Sequence, residues 1–171
     1  VATLWDFLAA NTPYDWRIVI ADNASIDRTQ DVGEELARTL DRVRYLRIPQ
    51  KGRGRALRQA WTESDADIVS YMDVDLSTNL DAFRPMIDAI AGGGADVAIG
   101  TRLHRGAAVT RQWKRELISR AYNLLIKLLF PRRTFSDAQC GFKAASRRAV
   151  DALVPLVVNN HWFFDSELLL R

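Results

Sequence analysis

The chain has 171 residues, 48% of them hydrophobic, and a net charge of +3; that is one ordinary domain with enough apolar material for a core. No apolar run approaches the length of about 18 residues that a membrane span needs. A single cysteine, Cys140, excludes an internal disulfide and fits a reducing compartment.

In chain order, residues 1–10 place apolar side chains at positions 1, 4, 5 and 8, one face of a helix. Residues 17–21 (Arg-Ile-Val-Ile-Ala) read as a short buried strand ending at Asp22. Asp27-Arg-Thr-Gln30 resembles a capping box that opens a helix to about Leu40. Residues 43–48 alternate like a strand, Lys51-Gly-Arg-Gly54 is a basic glycine loop, and 55–62 is helical. The next strand covers 68–73, and a helix over 81–91 stops at Gly92-Gly93-Gly94. Residues 96–100 form a strand, 113–130 a long helix before Pro131, 147–154 a helix, and a last helix starts near Ser166. Residues 136–143 lack either period and read as a loop around Gly141. Helix and strand alternate over short connections, which predicts an α/β fold, a mostly parallel sheet with helices on both faces. The chain opens on Val1 and closes on Leu-Leu-Leu-Arg171 in mid-pattern, as a single domain (1–171) truncated at both ends would.

The chemistry concentrates where strands end. Tyr71-Met-Asp73-Val-Asp75 brings two carboxylates, one residue apart, to the end of an apolar run. Such a pair suits a hard divalent cation, Mg²⁺ or Mn²⁺, and through it a phosphorylated substrate. With 16 Asp among 171 residues, chance supplies about one or two Asp-x-Asp triplets; Asp65-Ala-Asp67 is one of them and reads as a polar turn. Position, not spacing, therefore selects Asp73 and Asp75. Asp22-Asn23, residues 51–54 and Gly100-Thr101-Arg102 stand at other strand ends or loops of the same edge, so these groups converge on one cleft. Arg115, Ser119 and Asn123 share a helix face, either its solvated side or a binding strip. Asp165 fits the N-cap of the last helix, with Glu167 near its dipole. The basic cluster Arg102 to Arg133 is a solvated face or a site for an anionic partner.

Seven segments together carry a resemblance: Ile20-Ala-Asp22-Asn-Ala-Ser25-Ile-Asp27, Lys51-Gly-Arg-Gly54, Met72-Asp-Val-Asp75, Gly100-Thr-Arg102, Lys114-Arg115-Glu-Leu-Ile-Ser119 with Asn123, Asp137-Ala-Gln-Cys-Gly-Phe-Lys143, and Trp162-Phe-Phe-Asp165-Ser-Glu167. The chain resembles the family 2 glycosyltransferases of the GT-A fold, and within them the polyprenyl-phosphate (dolichyl-phosphate-type) hexosyltransferases. The resemblance spans about residues 18–171, and the chain starts just after the family's first strand. It implies metal-dependent, inverting transfer of a hexose from a nucleotide diphosphate sugar, UDP-glucose by the aromatic segment before Asp165 or GDP-mannose in the alternative, to a polyprenyl phosphate at a membrane surface. It places the protein in the cytoplasm or peripherally on the cytoplasmic face of the membrane. Asp75, with Asp73 and Gln139, would hold the metal; Asp73 would contact the ribose or a metal-bound water. Asp22, Asn23, Lys51 and Gly52 would hold the nucleotide. Arg102, Arg115, Ser119 and Asn123 would hold the acceptor phosphate, and Asp165 occupies the position of a general base in relatives that glycosylate hydroxyls. A phosphate monoester, whose second pKa is near ~6, needs no such base.

Two other readings compete: a dehalogenase-type phosphatase, in which Asp73 would be the nucleophile but no second acidic pair follows, and a non-catalytic module binding nucleotide sugar or phospholipid. A P-loop is absent, and nucleic-acid binding has no aromatic platform to rest on.

Overall fold

The computed structural model describes residues 1–100, 113–131, 135, 137–138 and 140–171, with the side chains of 113–120 outside the description. Its elements are α1 (Ala2–Asn11), β1 (Ile18–Asn23), α2 (Thr29–Thr39), β2 (Val43–Ile48), α3 (Arg53–Thr62), β3 (Ile68–Met72), α4 (Phe83–Ala91) after a 3₁₀ turn, β4 (Val97–Ile99), α5 (Trp113–Leu129), β5 (Phe142–Ser146), α6 (Arg147–Leu153) and α7 (Phe164–Leu170). β1 and β2 pair in parallel, Ile18 opposite Val43 through Asn23 opposite Ile48, so both C-terminal ends lie on one edge. β5 runs antiparallel between β3 and β4, with Tyr71 opposite Lys143.

β5 corrects the end of the loop expected over 136–143: from Phe142 the chain is the central strand of an antiparallel three-stranded sheet, separate from the parallel pair β1–β2. Its sequence, Phe-Lys-Ala-Ala-Ser, shows no alternation because Phe142 to Ala145 are buried whichever face they point to. The edges of β1 away from β2 and of β3 away from β5 carry no strand partner among the described residues.

Alternation along the strands sorts the core into two layers. Val69 and Tyr71 of β3, Val97 of β4 and Ala145 of β5 face Leu57 and Trp61 of α3, Val150 of α6 and Phe164 and Leu168 of α7. Ile68, Met72, Ala98, Phe142 and Ala144 face Leu8 of α1 and Phe83, Met86, Ile87 and Ile90 of α4. Helices thus cover both faces. Each fully buried Leu, Ile or Phe contributes about 1.5–3 kcal/mol, enough in aggregate to hold polar groups rigidly at the sheet edge. Ser146 closes the junction of β5 and α6: its Oγ accepts the Ala149 N–H at 3.1 Å, an N-cap, and donates to Asp96 at 2.8 Å. The capping box expected at Asp27 is instead a turn, Asp27 accepting from the Thr29 N–H at 3.0 Å while Arg28 takes the cap position.

Candidate active site

At the end of β1 the two polar residues do different things. Asp22 is 3% exposed. Its Oδ1 accepts the Ser25 N–H at 2.9 Å, and its Oδ2 accepts from Tyr45 at 2.5 Å and Arg47 at 2.8 Å. Burial pushes its carboxyl up, but the bonds from Ser25 and Tyr45 together with the Arg47 charge outweigh that and hold it below the usual range. Asn23 turns its side-chain carbonyl to the Gly52 N–H at 2.7 Å, tying β1 to the basic glycine loop. Gly52 sits at φ +152°, and a Cβ there would lie 2.5 Å from the Asn160 carbonyl oxygen, so no other residue fits without strain. Lys51 beside it is exposed.

β3 ends in a turn closed by the Leu76 N–H on the Asp73 carbonyl at 3.0 Å, with Leu76 at φ 50°. The turn leaves Asp75 exposed, its Oδ1 accepting the Ser77 N–H at 3.0 Å. Asp73 is half-buried, and Arg53 Nη1 donates to its Oδ1 at 2.9 Å. Gly141 abuts its other oxygen; a Cβ on Gly141 would come within 2.2 Å of Asp73 Oδ2. The glycine loop, the acidic turn and the segment before β5 therefore meet at Asp73.

Behind them lies a buried ion cluster. Lys143 on β5 is fully buried, and its Nζ reaches Asp165 Oδ1 at 3.0 Å, Tyr71 Oη at 3.1 Å and the Cys140 carbonyl at 2.5 Å. Tyr71 also donates to Asp165, whose second oxygen lies 3.3 Å from Arg53 Nε. Burial pulls the Lys143 ammonium down against the opposing pull of Asp165, and burial with the Asp165 charge drives the Tyr71 hydroxyl far up, so it stays a donor. Asp165 is therefore not an N-cap. It lies in the first turn of α7 behind the capping Phe163, and its carboxylate points into the sheet. Glu167 is more than a charge near the helix dipole: it accepts the Val158 and Asn159 N–H groups at 3.1 and 2.9 Å, and the Asn159 bond leads in holding its carboxyl below the usual range.

Of the remaining candidates, Asn123 is buried, 5% exposed, and accepts the Ala138 N–H at 3.0 Å; it braces the segment before β5, which overturns the solvated reading for this member of the stripe. Arg102 and Gln139 lie outside the described residues, as do the side chains of Arg115 and Ser119. Sequence reasoning did not single out Arg53, Tyr71 or Lys143. The basic residue within a glycine loop and the tyrosine two residues before Asp73 were the signals available.

The donor set suits a hard cation. Asp73 and Asp75 offer oxygens at one turn, and no group of three or more His, Cys, Asp and Glu that could hold a metal occurs among the described residues. Two carboxylates completed by substrate phosphates is a usual way to hold Mg²⁺ or Mn²⁺ in such sites.

A family profile described as "Glycosyl transferase family 2" matches residues 1–154. The chain belongs to that family. It is 37% identical over its whole length to "Glycosyltransferase AglD" of Haloferax volcanii, of which it covers 27%. Over 91% of the chain it is 28% identical to the "Dolichyl-phosphate beta-glucosyltransferase" of Saccharomyces cerevisiae, covering 52% of that protein. Over 81% of the chain it is 30% identical to the "Dolichol-phosphate mannosyltransferase" of Pyrococcus furiosus, covering 40%. The chain thus spans about a quarter to half of these relatives. In fold it matches glucosyl-3-phosphoglycerate synthase from Mycobacterium tuberculosis, solved with Mn²⁺, UDP-glucose and glycerol 3-phosphate, at a TM-score of 0.67 and 22% identity, over 98% of this chain and 59% of that one. That likeness establishes the GT-A fold for this family 2 domain.

Proposed function

We propose that the protein transfers glucose from UDP-glucose to a polyprenyl phosphate, with inversion at the anomeric carbon, using Mg²⁺ or Mn²⁺ held by Asp73 and Asp75. The observation that carries this reading is the contrast in one site between Asp75, exposed and able to take a ligand, and Asp165, 3% exposed and already engaged by Lys143, Tyr71 and Arg53. The metal, when bound, neutralises charge on the leaving diphosphate. Asp73 and Asp75 orient the donor's diphosphate, and the glycine loop anchored by Asn23 brings Lys51 and Arg53 to its flank. The acceptor supplies a phosphate that is mostly dianionic at pH 7, its second pKa being near ~6, so no proton has to be removed before an oxygen attacks the anomeric carbon. Asp165 is then a counter-ion that keeps the site rigid. Arg102, Arg115, Ser119 and Gln139 enter as expectations from the family resemblance: cations and donors for the acceptor, and a further metal contact.

The relatives named as dolichyl-phosphate glucosyltransferases and the UDP-glucose held by the fold neighbour support glucose as the sugar; the Pyrococcus relative, named a mannosyltransferase, supports mannose as the alternative sugar. The test is a donor panel with the full-length protein, Mn²⁺ and a short polyprenyl phosphate, reading lipid-linked sugar. UDP-glucose should be the preferred donor. Binding of a nucleotide sugar by titration calorimetry without turnover of any donor would leave a binding module instead.

A lipid acceptor also needs a surface on which to be met. No helix among the described residues is long and apolar enough to cross a membrane. α5, however, exposes Leu124, Leu125, Leu128 and Leu129, followed by Phe130, around Lys127, a composition suited to the interface of an anionic bilayer. Sedimentation of the full-length protein with anionic liposomes checks this, and failure to pellet refutes it.

A further inference from the structure

Arg53 is held in an unusual way. Its guanidinium lies between two rings, 5.2 Å from the Tyr71 centroid and 5.0 Å from that of Trp162, and Trp162 is itself 70% exposed. In front, Nη1 donates to Asp73 at 2.9 Å. Behind, Nε is 3.3 Å from Asp165 but is not aligned to donate to it, and it is buried with no hydrogen-bond partner. Asp165 keeps Lys143 as a counter-ion whether or not Arg53 stays. Among the described residues the hydrogen bond this guanidinium donates is thus the one to Asp73, a carboxylate that a divalent cation would also claim.

We propose that Arg53 is a placeholder cation: it neutralises Asp73 in the ligand-free protein, opposes the binding of a divalent ion alone, and transfers its Nη1 contact to the donor's diphosphate when ion and sugar nucleotide arrive together. The inference rests on the function proposed above. It makes Arg53 a counter-ion of Asp73 that becomes a donor-binding residue, and it makes metal and nucleotide bind cooperatively, each raising the other's affinity by the same factor. A merely structural arginine predicts the opposite sign, because its loss would loosen the site and weaken every ligand.

The experiment is a titration of the full-length protein with Mn²⁺, following free Mn²⁺ by paramagnetic resonance, with and without UDP. Arg53→Met should bind Mn²⁺ alone about fivefold tighter than the native protein, the size expected for releasing a half-exposed ion pair. The stimulation by UDP should shrink by a similar factor. Arg53→Lys should stay near the native values. In an Asp73→Asn background, Arg53→Met should bring no further gain. Arg53→Gln, which also lacks the charge, serves where the Met variant does not fold. Equal or weaker Mn²⁺ binding by a folded, uncharged variant, or a gain that persists without Asp73, overturns the proposal. UDP-stimulated binding that is blind to Arg53 removes this inference alone. No Mn²⁺ binding by the native protein even with UDP removes the proposed function and this inference with it.

Discussion

Two acidic regions lie within one side chain of each other, linked by Arg53, and they are built on opposite principles. Around Asp165 the charges are paired and largely hidden: Lys143 is inaccessible, Tyr71 donates, and the aspartate itself is buried. Around Asp75 the backbone turns outward and, among the described residues, the carboxylate accepts one hydrogen bond, from its own turn. Burial with partners gives rigidity and exposure gives ligand capacity. An acidic residue in a family motif can serve either end.

The largest effect is expected at Asp165. Asp165→Asn strands the Lys143 ammonium without a counter-charge, and removal of one member of a buried pair costs about 3–5 kcal/mol. Urea unfolding should show that loss, and the double replacement Lys143→Met with Asp165→Leu should recover most of it. A fully stable Asp165→Asn protein would mean that the cluster is not the anchor.

Next in size is the hinge between the regions. Gly52→Ala puts a Cβ against the Asn160 carbonyl at φ +152°, a strain of about 1–3 kcal/mol that should also displace Arg53 one residue on. A lowered melting temperature together with a raised KM for the donor checks it; an unchanged KM would separate the loop from the site.

The smallest effect is at Glu167. Its folded carboxyl is held below the usual range by backbone donors, so its contribution is present above the ordinary glutamate pKa of ~4.3 and is lost as pH falls through the lower folded value. Glu167→Gln should lower stability at neutral pH by about 0.5–1.5 kcal/mol and flatten the acid limb of the stability–pH curve. An unaltered acid limb would contradict this assignment.

Much of the fold was legible because its helices and outer strands carry strong periods; β2 and the acidic turn after β3 stand where the pattern puts them. β5 was not, because a strand buried on both faces, built of alanines and one hidden lysine, shows neither alternation nor an apolar run. The site divides similarly. The strand-end logic places Asp73 and Asp75 at the turn after β3, where the structure also has them. The role of Asp165 depends on Lys143 twenty-two positions earlier and on Tyr71 across the sheet. Asn123 looked like part of a solvated stripe, yet it is paired with the Ala138 backbone. Local pattern reveals which residues are polar at an edge; long-range pairing decides which of them remain free to bind.

Under the proposed function the exposed carboxylate works on substrate and the buried one on structure. This division is tested by glucose transfer from UDP-glucose to a short polyprenyl phosphate, measured for native, Asp75→Asn and Asp165→Asn full-length proteins at a temperature where all three are folded. Asp75→Asn should lose about a hundredfold or more in kcat/KM, the usual consequence of removing an electrostatic stabiliser of the leaving group, while Asp165→Asn, per folded molecule, loses about tenfold or less. The reverse order would contradict the account and restore Asp165 as the base.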